Sequence, residues 1–69
     1  MYDYRKLRGL ITEHYGTLGS FAKAINMGTT TLHSRLNGYT YFDQAEIETI
    51  AKKLDLNSGG VNDVFFTHK

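Results

Sequence analysis

The chain has 69 residues, with eight Lys+Arg against seven Asp+Glu and no cysteine, proline or tryptophan. Its length suffices for one hydrophobic core, so a single domain over residues 1–69 is expected; without cysteine there is neither a disulfide framework nor a thiolate metal site. No apolar run approaches the roughly 20 residues of a membrane helix, and the opening residues Met1 to Lys6 lack the apolar segment of a signal peptide, so a cytoplasmic protein is the expectation. Asp3 is the predicted N-cap of a first helix, whose apolar stripe is Tyr4, Leu7, Ile11 and Tyr15, with Leu10 and His14 beside it. Gly16 is placed to end that helix. Gly9 lies inside it at a cost of about 1 kcal/mol relative to Ala, which implies either a close neighbour or a locally weak helix.

Thr17 is the predicted cap of a second, short helix with apolar positions Leu18, Phe21, Ala22 and Ile25. Asn26, tolerant of the left-handed conformation, ends it. Met27 and Gly28 lead into a third helix, in which Leu32 and Leu36 share one face while Thr29, Thr30, His33 and Ser34 look outward. Asn37-Gly38 is a turn signal. The aromatic run from Tyr39 to Phe42 reads as an extended connection. Asp43 and Glu46 have the spacing of a capping box, and Ile47, Ile50, Ala51 and Leu54 form the stripe of a fourth helix. Lys52 and Lys53 sit in its last turn, where the helix dipole favours them. Residues 57–60, Asn-Ser-Gly-Gly, read as a loop, and Val61 to Phe66 as a final short helix. The fold class is therefore all-α, with five short helices.

Residues 17–38 carry the most information. Two short helices joined by a turn of about three or four residues have helix-turn-helix geometry. Such a motif requires a small residue where the helices cross, a turn residue able to take positive φ, and an aliphatic plug in the second helix. Ala22, Asn26 and Leu32 meet these needs in register, as the motif core. The net charge of +1 divides unevenly along the chain: residues 1–39 hold five basic and two acidic side chains, residues 40–69 three and five. The outward face of the third helix is short, neutral and hydroxyl-bearing. Such groups contact base edges or phosphates, and a threonine methyl packs on a thymine methyl. Lys23, Arg35 and Arg8 are the candidate phosphate or partner contacts, and His33 is either another or an ordinary surface histidine.

The run from Phe21 to Gly38, together with the opening from Met1 to Gly9 and the close from Val64 to Lys69, resembles the small temperate-phage Cro/CI-type regulators of Gram-positive bacteria, whose fold is lambda-repressor-like. The nearest group is the modulators of repression (MOR) and Cro-like proteins of the same length. The resemblance implies a regulator of the lysis–lysogeny switch. In that pattern the second helix usually opens with a phosphate-binding glutamine, where this chain has Leu18. The third usually opens with Ser or Thr, where this chain has Gly28. Both departures weigh against strong autonomous DNA binding.

Two functions follow as expectations. One is a MOR-type antirepressor that binds the phage CI-type repressor as a heterodimer, with Leu18, Gly28 and the threonine row in the interface. Uncharged groups suit the centre of such a contact, and Tyr39, Tyr41 and Phe42 are either its aromatic anchors or a cap on the core. The other is a Cro-like operator-DNA binder, acting together with that role or as an autonomous repressor with no protein partner. Its third helix enters the major groove. No cofactor, metal or small-molecule substrate is expected. His14, His33 and His68 are scattered without ligand spacing, Gly59-Gly60 has no following lysine to make a phosphate loop, and Asp43 and Glu46 serve a helix cap, so an enzyme is not expected.

Overall fold

The computed structural model describes residues 2–68 and contains five helices: α1 (Arg5–Tyr15), α2 (Leu18–Ala24), α3 (Thr29–Leu36), α4 (Gln44–Lys53) and α5 (Ser58–Phe65). α1 packs on α2 and α5, α2 on α3, and α4 on α5. Their apolar stripes converge on Leu7, Ile11, Phe21, Leu32 and Ile50, each wholly withdrawn from solvent, with Phe65 beside them. Burial of this kind contributes roughly 1.5–3 kcal/mol per large side chain, and among the described residues it is the main term holding the helices together. No described helix is long and apolar enough to cross a membrane.

Local signals set most helix ends. The Thr17 hydroxyl accepts from the Ser20 amide at 3.1 Å. At α4 the capping box is complete: the Asp43 carboxylate accepts from the Glu46 amide at 2.7 Å, and the Glu46 carboxylate accepts from the Asp43 amide at 2.9 Å. Three helices close with the same pair of bonds. After α2, the amides of Asn26 and Met27 donate to the carbonyls of Lys23 and Ala22. After α3, Gly38 and Tyr39 donate to Arg35 and Ser34; after α4, Asp55 and Leu56 donate to Lys52 and Ala51. This is the Schellman arrangement, which needs a left-handed residue just past the helix. Asn26, Gly38 and Asp55 supply it, with φ of 57°, 84° and 54°.

Several boundaries differ from the sequence reading. α1 begins at Arg5, with Tyr4 in the cap position and no side-chain cap of its own. The Asp3 carboxylate nevertheless accepts from the Arg5 amide at 3.0 Å and is gripped by the Arg5 guanidinium at 2.7 Å, so the predicted cap acts from one residue further out. Gly9 meets nothing within 4 Å, so no close neighbour requires it.

The Asn57 to Gly60 segment is not a loop. Asn57 caps α5, its side chain accepting from the Gly60 amide at 2.8 Å, and both glycines lie in the first turn. A Cβ at Gly60 would stand 3.3 Å from the Leu56 side chain, so tight packing of the entering chain on this turn favours the glycine there. The chain ends also meet: Tyr2 and His68 form an antiparallel bridge, and the Asp3 amide donates to the Thr67 carbonyl at 2.6 Å.

Candidate recognition interface

The motif is assembled as its spacing implies. Asn26 turns the chain at positive φ, Ala22 is buried where α2 meets α3, and Leu32 is fully enclosed. Burial of Leu32 and Leu36 fixes the roll of α3 about its axis. Gly28, Thr29, Thr30, Thr31 and His33 are thereby left exposed to solvent.

Ser34 departs from its expected place on this outer face. It is half-buried, and its carbonyl accepts from Tyr39 as the chain leaves the helix. Thr31, which the sequence reading passed over, is exposed; its hydroxyl lies back over Gly28, the N-cap, which has no side chain to cap with. Helical rotation sets Ser34 opposite Leu32 and Leu36, so its partial burial does not come from the packed face of α3.

The cations are arranged differently from the sequence expectation. Arg35 points away from the outer face. Its Nε and Nη2 donate to the two Glu46 carboxylate oxygens at 2.7 and 3.0 Å, and Nη1 donates to the Thr40 hydroxyl at 2.7 Å. Both side chains of this pair are about one-fifth exposed. Hydrogen bonding to Glu46, offset in part by burial, raises the guanidinium pKa above its already high ordinary value. A planar fork held by both oxygens of a carboxylate is a strong, oriented contact. Arg35 thus ties α3 to the start of α4 and is not presented as a phosphate ligand.

Arg8 is half-buried and donates from Nη2 to the Asn37 side-chain carbonyl at 2.7 Å, tying α1 to the end of α3. Lys23 alone among the three predicted contacts is exposed without a side-chain partner. It borders a shallow hollow with Gly19, Asn26, Gly28 and Thr29. Leu18 is half-buried against the core, so it presents only part of its side chain. The aromatic connection divides: Phe42 is buried edge-on between Tyr4 and Phe65, with ring centres 5.4 and 5.3 Å away, while Tyr39 and Tyr41 are 80% and 76% exposed. One of the three predicted anchors is therefore core and two are surface.

The geometry defines a class: a compact five-helix domain built around a helix-turn-helix, with a hydroxyl-lined second helix facing outward. Residues 1–68 match the family described as protein of unknown function DUF739, and the chain belongs to that family. No curated protein matches the sequence.

Proposed function

We propose that this protein is a transcription regulator of the phage lysis–lysogeny switch, acting as a MOR-type antirepressor that binds a CI-type repressor through the outer face of α3. The observation that carries this reading is the state of the cations. Arg35 is neutralised by Glu46, and Arg8 keeps its charge but leans on Asn37 at the far end of α3, which leaves Lys23 as the cation bordering the start of the exposed threonine row. Affinity for DNA comes largely from neutralising several phosphates at once, and a face with Arg35 neutralised and Lys23 at its edge supplies little of it. A neutral row of short side chains is better matched to the centre of a protein interface, where charged residues are depleted.

Operator binding is the second reading, favoured by Lys23 and by hydroxyls placed to reach base edges or phosphates. It predicts a shallow salt dependence, because few phosphates would be contacted. A single gel-shift series separates the two, using operator DNA with this protein, with the repressor, and with both. The antirepressor role predicts no shift from this protein alone and loss of the repressor's shift in the mixture. A shift from this protein alone at low salt, with the repressor's shift intact, would overturn it in favour of the Cro-like reading.

A further inference from the structure

Of the ion pairs Arg5–Asp3, Lys6–Asp63 and Arg35–Glu46, only the last has both side chains largely withdrawn from water, at 20% and 19% exposure. Arg5 and Lys6 stand mostly in solvent, and exposed pairs of that kind open readily. Glu46 is also held from a second side. Its Oε1 accepts from the Asp43 amide at 2.9 Å as well as from Arg35 Nε at 2.7 Å, so the cap of α4 fixes the carboxylate that grips Arg35. Thr40 takes Nη1 of the same guanidinium. An Arg35 that left for a phosphate would strand a carboxylate four-fifths withdrawn from water, which is strongly unfavourable. The cation is therefore kept by more than the attraction of its partner.

Building on the reading of α3 as a protein-binding face, we propose that Glu46 is its specificity-determining residue, keeping it off duplex DNA by holding Arg35 away from phosphates. Along α3, Arg35 stands between two other cations. Lys23 borders the start of the helix, and Arg8 leans on Asn37 just past its end. Thr31, one turn back from Arg35 on the same side, is exposed. A helical side chain leans over the turn that precedes it, so a released guanidinium can swing back beside Thr31. Three cations along one helix neutralise phosphates together, and each adds to affinity. Replacing Glu46 by Gln removes the obstacle without removing the cap. The carboxamide oxygen still accepts from the Asp43 amide, as glutamine does in a capping box, and Arg35 then leaves a neutral group behind.

Fluorescence anisotropy of a labelled mixed-sequence duplex, titrated with the full chain in about 0.05 M salt, tests this; non-specific complexes of roughly 1–100 µM are within its range. Glu46→Gln is expected to bind about tenfold more tightly than wild type, with a salt slope steeper by about 0.9, the signature of one further phosphate contact. Glu48→Gln, at an exposed position of α4, makes the same change in net charge. It should gain less than about threefold and leave the slope unchanged. Adding Arg35→Met to Glu46→Gln should return the affinity to the wild-type value. Circular dichroism checks that each variant is folded. Glu46→Ala keeps the Asp43 half of the cap and favours the helix, so it gives the same comparison if Gln disturbs the fold. A folded variant at position 46 without the gain, an equal gain from Glu48→Gln, or a gain that survives Arg35→Met would each overturn the proposal. The antirepressor role fails or holds in the mixture with repressor and operator, whereas the role of Glu46 is read on this chain with DNA alone.

Discussion

Replacing Arg35 by Met keeps the length of the side chain and removes its charge, leaving the Glu46 carboxylate four-fifths withdrawn from water with no cation against it. Because the pair joins α3 to α4, Arg35→Met is expected to lower unfolding stability by about 1–3 kcal/mol. Denaturant titration checks this; an unchanged midpoint would mean that Arg35 is held loosely enough to serve a phosphate. Tyr4 gives a pH-dependent counterpart. Burial, with smaller contributions from Tyr2 and Tyr41, raises its phenol pKa above 10.0. Once the pH exceeds that value, the unfolded chain releases a proton that the folded chain keeps, so stability falls as pH rises toward the elevated pKa. Tyr4→Phe removes this loss. Its stability near pH 7 should stay close to wild type, and between pH 10 and about 11 it should decline less steeply. Parallel declines would show that Tyr4 ionises as freely in the fold as outside it.

At the scale of elements, helix termination offers a pair of substitutions with opposite signs. Gly38 and Asp55 hold the same position after α3 and α4, at φ of 84° and 54°. A side chain costs about 1–2 kcal/mol in that region, less for Asp and Asn. Gly38→Ala should therefore destabilise by about 1 kcal/mol and Asp55→Gly should stabilise by a few tenths or more, both read from thermal midpoints. These ends also show what could be read in advance. Asn26, Gly38 and the Asp43–Glu46 box were legible because each signal and its consequence lie within a few residues. The run from Asn57 to Gly60 has the look of a loop because it ends in two glycines, each a poor helix former. Burial of Val64 and Phe65, with the Asn57 cap, outweighs that preference. The Arg35–Glu46 pair spans 11 positions and the Tyr2–His68 bridge nearly the whole chain. No local pattern announces contacts of that kind, and both decide which groups the surface presents.

For the whole molecule, the candidate face and the stability of the fold meet in α3 and can be taken apart there. A 69-residue domain is stable by roughly 3–10 kcal/mol, and Leu32 is wholly enclosed at the centre of its core. Leu32→Ala is expected to cost about 2–5 kcal/mol, enough to unfold much of the population and to remove every function with it. One turn away, Thr29 and Thr30 are exposed and touch no core residue through a hydrogen bond. Exchanging both for Ala, a better helix former, should leave the melting temperature unchanged or slightly higher while weakening whatever the face binds. Coupled loss of stability and binding in the threonine variant would show that the face supports the fold and does not recognise a partner. Stability retained with the repressor–operator shift restored in the mixture is the result that antirepression through α3 requires.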